Sequence, residues 1–208
     1  MADRVSSWVY AEEFAAIPDP AFEQATTFAH EMGLEPLSPA TGATLRMIAG
    51  LLKARAVVEV NTGTGVSGLW LLAGMHPDGI LTTIDDEVEH HRYAKQAFAT
   101  AGIPSTRTRT ISGRAYEVLP RLADEAYDVV YIDAIPTQAS DYTDHALRVL
   151  RGGGALVIAN ALWRGRVADP TKRDEQTVVM RQLSKALQEE FTTALLPVGE
   201  GLTVVIKP

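Results

Sequence analysis

Residues 56–68 read Ala56-Val57-Val58-Glu59-Val60-Asn61-Thr62-Gly63-Thr64-Gly65-Val66-Ser67-Gly68, an apolar run that ends in a glycine-rich turn. A helical stretch, Val66–Met75, follows at once. Glycines spaced as Gly63-x-Gly65-x-x-Gly68 let the backbone turn tightly and approach a ligand, while the first amides of the helix face it. The next apolar run ends Thr82-Thr83-Ile84-Asp85, where a carboxylate can accept both hydroxyls of a ribose. A phosphate-binding P-loop is excluded, because no Gly-Lys-Ser/Thr follows the turn. The glycine pattern alone leaves an NAD-dependent oxidoreductase open.

The strand-to-helix step repeats outward from this turn. Apolar runs lie at Ala56–Val60, Ile80–Asp85, Asp128–Asp133 and Ala155–Asn160, with helical periodicity over Asp86–Ala101, Tyr116–Leu122 and Asp141–Leu150. Thr106–Ile111 alternates threonine with arginine and reads as a strand nearer an edge. Such alternation implies right-handed crossovers and a parallel sheet covered on both faces. It breaks near the end of the chain, where a helix carrying Val179, Leu183 and Leu187 precedes Thr192–Val198 and Gly201–Lys207. The Gly199-Glu200 link is too short for a parallel crossover, so these last two runs pair antiparallel. Residues 1–34 read as two short helices forming a flap. Asp19-Pro20 starts the second, Phe22, Ala25, Ala29 and Met32 share its face, and Gly33 closes it. Ser38-Pro39 starts another helix leading into Leu45, Ile48, Leu51 and Leu52. The expectation is one doubly wound α/β domain over residues 1–208.

The chain has 208 residues, 46% hydrophobic and 22% charged, as expected of a globular fold. Its net charge of −7 disfavours a nucleic-acid partner. The absence of cysteine removes disulfides, thiolate metal sites and cysteine nucleophiles together. No basic segment leads into an apolar core at the N-terminus, and no apolar stretch is long enough for a membrane span, so a cytoplasmic protein is expected. Glu59 sharpens the ligand choice. A carboxylate inside an apolar strand is costly without a polar task. It would repel a pyrophosphate and tolerate a cationic ligand, which points away from NAD and toward S-adenosylmethionine.

At these residues the chain resembles the class I S-adenosylmethionine-dependent O-methyltransferases of the catechol and caffeoyl-CoA group. Glu59 to Leu71 is similar to their first motif and Thr82-Thr83-Ile84-Asp85 to their ribose-binding motif. Ser112 to Pro120 resembles the adenine-side turn, and Tyr131-Ile132-Asp133-Ala134 the end of the fourth core strand. Ala161 to Pro170 resembles the loop lining the substrate mouth. The resemblance implies a Rossmann-like, seven-stranded, mostly parallel sheet with an antiparallel C-terminal strand, and a homodimer acting on a small-molecule acceptor. It implies that Leu37 and Ser38 close over the methionine end of the cofactor. Glu59 and the Asn61, Thr62, Gly63 to Gly65 backbone would cradle it, with Ser67 at its carboxylate. Asp85 would hold the ribose, Gly113, Arg114 and Ala115 the adenine side, and Asp133 the floor near the methyl group. Asn61 stands where the family usually has glycine. Asparagine tolerates a left-handed backbone, so the turn is expected to survive.

The family usually binds a divalent metal through an aspartate after the fourth strand and an Asp-Asn pair after the fifth. Asp133 and Asn160 match two of these positions, but the third is Ala159. The family's Asp-Ala-Asp-Lys reads Asp133-Ala134-Ile135-Pro136, so the second acid and the lysine base are absent. A bound metal is therefore not expected, and Asp133 is the candidate catalytic base. The same losses motivate a rival reading, a cofactor-binding member without turnover. His90-His91 cannot chelate together on one helix and reads as a solvated face. Arg164 and Arg166 either bind an acidic acceptor such as a CoA thioester or solvate the surface. Trp163 either walls the acceptor pocket or packs in the core. Tyr142 reads as a surface or packing residue, and Tyr10, Phe14, Phe22 and Phe28 as packing or dimer contacts.

Overall fold

Each strand-to-helix step in the chain returns to a single sheet. The computed structural model describes residues 2–208, so the segment read as helical over 1–34 is seen from Ala2, with Met1 outside the described residues. Before the sheet come α1 (Ala2–Ala15), α2 (Pro20–Glu31) and α3 (Pro39–Leu51). The doubly wound part follows as β1 (Ala56–Val60), α4 (Val66–Gly74), β2 (Ile80–Asp85), α5 (Val88–Thr100), β3 (Thr108–Ser112), α6 (Ala115–Val118), β4 (Tyr127–Ile132), α7 (Pro136–Val149) and β5 (Leu150–Ile158). It closes with α8 (Glu175–Glu190), β6 (Thr192–Leu196) and β7 (Leu202–Ile206).

The seven-stranded sheet has the order β3-β2-β1-β4-β5-β7-β6. Strands β1 to β5 pair parallel, while β7 runs antiparallel to both β5 and β6. The strand order reverses between β1 and β4, the place where open α/β sheets present a ligand crevice. Side chains alternate across the sheet. Val57, Val129 and Tyr131 enter a core with α2 to α5, whereas Val58, Val130 and Ile132 enter a second core with α6 to α8.

The sequence signals for helix starts act as their chemistry requires. Asp19 Oδ1 accepts from the Ala21 amide at 2.8 Å, and Ser38 caps α3 through the Thr41 amide at 3.4 Å. Gly33 ends α2 with φ +71°. Three boundaries differ from the sequence reading by more than two residues. Helix α7 begins at Pro136 rather than near Asp141, because proline fits the first helical turn without losing an amide bond. Strand β5 begins at Leu150 rather than Ala155. There Asp128 ties three strands together, accepting from the Arg55 and Ala56 amides at 2.7 and 2.9 Å and from Arg151 Nε at 2.6 Å. Helix α6 is a short turn that continues as a 3-10 turn over Leu119–Arg121, around Pro120. Leu51 is 76% exposed, since it lies about 240° around the helix from the buried Leu45.

Helices α3 and α4 approach so closely that two glycines are required. A Cβ on Gly42 would fall 2.2 Å from the Trp70 indole, and one on Gly74 would fall 2.1 Å from the Arg46 carbonyl oxygen. Gly50, also in α3, has nothing nearer than 3.6 Å. Gly74→Ala should therefore destabilise the protein by about 3 kcal/mol or more, because a backbone atom cannot yield as a side chain can. Gly50→Ala should be neutral or stabilising by up to about 1 kcal/mol through helix propensity. Urea denaturation of both variants checks the pair, and equal effects would mean that the helices can separate.

Candidate active site

The carboxyl ends of β1, β2 and β4 open into a cavity of about 360 Å³. Asn61, Gly63, Ser67, Asp85 and Asp133 line it from the sheet side, and Leu34 to Leu37 border it from the segment before α3. A second cavity, about 260 Å³, shares Glu35, Pro36, Leu37 and Asp133 with the first and continues to Tyr131, Ala159, Asn160 and Glu200. A third, also about 260 Å³, shares Asn61 and Asp85 and is bordered by Gly113, Arg114, Ala115, Tyr116 and Tyr142. The three form a continuous cleft with Asp85 at one junction and Asp133 at the other.

Asp85 organises the first junction. Its Oδ2 accepts from the Gly63 amide and from His90 Nδ1, each at 3.0 Å, and its Oδ1 accepts from the Glu87 amide at 3.0 Å. The glycine turn is thus held to the end of β2 by a carboxylate. Asn61 has φ +69° as expected, and its side-chain amide donates to the Asp133 carbonyl oxygen. Gly65 opens α4 with φ +92° and would strike Ala94 at 3.0 Å if it carried a Cβ. Thr64 anchors the turn to α2 by donating to the Ala25 carbonyl at 2.7 Å.

Glu59 lies beneath the cleft, fully buried. The Thr83 hydroxyl donates to its Oε2 at 2.6 Å and is itself 2.6 Å from the Thr62 hydroxyl, while Oε1 has no partner. Burial pushes its carboxyl up to about 7; the Ser67 and Thr83 hydroxyls oppose the rise, while the Asp133 and Asp85 charges reinforce it. Burial also raises Asp133, opposed by the Asn160 side-chain amide, which donates to its Oδ1 at 2.9 Å, and by the Tyr131 hydroxyl. An unpaired buried carboxylate oxygen, left-handed Asn61 and Gly63, and an acceptor at Asp85 fit a ligand with a cationic head and a ribose. The donor set at Asp133 does not fit a metal. Ala159 contributes a methyl group, Ile135 is 44% exposed, and Asn160 spends its amide on Asp133. Among the described residues no group of three or more His, Cys, Asp or Glu side chains could hold a metal ion.

Not every residue named from the sequence lines the cleft. Of the three cavities of the cleft Ser38 borders just the second, and its hydroxyl donates to Glu12 Oε1 at 2.8 Å. Thr62 and Gly65 lie below the lining, and Trp163 does not border the second cavity. The His90-His91 pair corrects the reading of a solvated face. His90 meets the Asp85 carboxylate, and His91 is buried with Nε2 3.1 Å from the Asp85 carbonyl. Their place five and six residues after Asp85, where the helix folds back on its strand, was the available signal. Tyr142 is buried and borders the third cavity. Arg166 pairs with Asp174 at 2.6 Å, and Arg164 reaches Glu35 at 3.6 Å, so local ion pairing accounts for both.

Glu59 gives the ligand-free protein a pH signature. The folded state holds this proton more tightly than the unfolded state, so stability falls as pH rises from about 4.5 to about 7 and is level above that. The contribution across that window is about 3 kcal/mol. Glu59→Gln keeps the shape without the titration and should lose this slope. Denaturant midpoints of both proteins through that range check it, and parallel curves would mean that the carboxyl titrates normally.

The comparisons with known proteins agree with this geometry. The model of the family described as O-methyltransferase matches residues 21–208. A Mycobacteroides abscessus protein named as an O-methyltransferase is 49% identical over 205 residues, covering 97% of this chain and 95% of that one. A solved Corynebacterium glutamicum structure superposes with a TM-score of 0.89 at 34% identity, covering 99% of this chain and 96% of the other. The O-methyltransferase TomG of Streptomyces achromogenes, solved in complex with SAM, gives a TM-score of 0.85 at 27% identity, covering 98% and 96%. With the family model matched over most of its length and a relative sharing nearly half its residues, the chain belongs to the O-methyltransferase family.

Proposed function

We propose that the protein, as a single domain, transfers the methyl group of S-adenosylmethionine to a hydroxyl of a small-molecule acceptor without a bound divalent metal. The observation that carries this is the junction at Asp133, a half-buried carboxylate shared by the cofactor-sized cleft and the adjoining cavity. When bound, the cofactor supplies a methyl group on a sulfonium that is already activated, so alignment supplies much of the catalysis. Asp85 accepts the ribose hydroxyls, Glu59 balances the cationic end, and Ser67 faces the carboxylate. The Gly113, Arg114 and Ala115 turn, with Tyr116 and Tyr142, borders the adenine side. Leu37 closes the methionine end, and Ser38 supports that closure as the cap of α3. Asp133 takes the acceptor proton, and the rise of its carboxyl with burial brings it nearer the proton affinity a base needs at neutral pH.

The exposed apolar side chains of α1, Trp8, Tyr10 and Phe14 at 62%, 68% and 80%, support a homodimer contact on that helix. Among the described residues no helix is long and apolar enough to cross a membrane. With the net negative charge, this supports a cytoplasmic enzyme that acts on small molecules rather than nucleic acid.

Titration calorimetry tests the cofactor assignment. S-adenosylhomocysteine should bind and NAD should not. Asp85→Ala should weaken that binding by about 1.5–3 kcal/mol, the range for hydrogen bonds to a charged group. Saturable NAD binding with no response to S-adenosylhomocysteine would refute the cofactor.

The metal is tested separately. Wild-type protein should bind magnesium weakly or not at all, because Asp133 supplies one charge and Ala159 none, which compensates poorly for dehydrating a hard cation. Ala159→Asp should raise the affinity. Tight magnesium binding by the wild type, or methyl transfer abolished by EDTA and restored by magnesium, would overturn the metal-free mechanism.

A further inference from the structure

The cavity beside the cofactor cleft has walls of one sign. Glu35, Asp133 and Glu200 border it, and none of the described residues lining it is lysine, arginine or histidine. The nearest arginine of the following loop is already engaged. Arg164 directs its guanidinium to Glu35 at 3.6 Å, and its backbone amide donates to Glu200 Oε2 at 2.8 Å. Glu59 adds a further carboxyl behind Asp133, close enough to feel the Asp133 charge. One arginine against these acids leaves the walls negative.

A second observation is independent of charge. Tyr131 forms part of the same cavity wall and is 0% exposed; its hydroxyl makes no bond of full hydrogen-bond geometry and leans on the Asp133 carboxyl alone. It stands on β4 in register with Glu59 on β1, so both side chains point to the same face of the sheet. A buried hydroxyl is costly to leave poorly paired, so a polar group seated against Asp133 would complete its bonding.

We propose that the acceptor is a small cationic hydroxyl compound, a phenol or alcohol that also carries a protonated amine. Its ammonium lies between Glu35 and Glu200 at the mouth, and its hydroxyl faces Tyr131 and Asp133 at the floor. A volume of about 260 Å³ suits a single ring with a short side chain and not a carrier thioester. A carboxylate or phosphate on the acceptor would meet like charge along the wall. In the transfer, the acceptor oxygen bonds to the methyl carbon as the carbon–sulfur bond breaks. The electrons of that bond stay on sulfur as a neutral thioether, and the hydroxyl proton passes to the Asp133 carboxylate. This inference rests on the methyl-transfer reading above.

The test uses three probes of similar shape and different charge: tyramine, phenol and 4-hydroxybenzoate. Each is titrated by ligand-observed NMR into the full-length protein, with and without S-adenosylhomocysteine. Tyramine should bind about tenfold tighter than phenol, with 4-hydroxybenzoate weakest, and added salt should narrow the gap. The double variant Glu35→Gln, Glu200→Gln should bring tyramine toward phenol. Tyr131→Phe, which keeps the ring in the core, should weaken all three without changing their order. Equal affinities, a preference for 4-hydroxybenzoate, no binding of any probe, or an unchanged order in the double variant would overturn the proposal. The series without S-adenosylhomocysteine reads the charge preference by itself, so a failed cofactor assignment and a failed acceptor assignment are seen apart.

Discussion

Asp85 is the residue on which the site depends. Its carboxylate holds the Gly63 amide, the Glu87 amide and His90, while its carbonyl accepts from His91 and from the Gly113 amide at 2.9 Å. One residue at the end of one strand therefore fixes the glycine turn before α4, the entry to α5 and the turn after β3. Charge-assisted bonds of this kind are stronger than neutral ones, and here they converge where the strand order reverses. The cleft is shaped by them before any ligand arrives.

Glu59 and Asp133 pose the complementary problem of negative charge buried without full pairing. Two carboxyls in one low-dielectric space, each raised by burial, are unfavourable to the fold alone. Such strain is expected at sites that bind opposite charge, where polar groups left short of partners are completed by the ligand. The hydroxyls of Thr83 and Thr62 moderate the strain from below.

Much of this architecture was legible from residue order. The limits of β1 and β2, the Asp19 and Ser38 caps and the final hairpin follow from local chemistry that neighbouring residues carry. The left-handed Asn61 follows in the same way. What escaped was tertiary. His90 and His91 looked like a wet helix face because their partner lies on the preceding strand. Tyr131 lies in an apolar run whose pattern carries no signal of its hydroxyl, which reaches Asp133 only in the folded sheet. Ala159 and Asn160 were legible as departures from a family pattern, but the bond from Asn160 to Asp133 depends on two loops meeting. Helix α7 starts five residues before the apolar repeat that marks it, because Pro136 opens it without any periodic signal.

The glycine contacts between α3 and α4 also bear on motion. Helix α4 leaves the cleft at its Gly65 end, and α3 leaves it at its Ser38 end. Where the two cross, Gly42 seats the rigid Trp70 indole and Gly74 meets the Arg46 backbone directly. A joint without compressible material has no play, so these helices move as one lever arm. Widening of the cleft therefore falls to its other border, the segment from Leu34 to Leu37, held by the packing of Leu37 on the core and the pairing of Glu35 with Arg164.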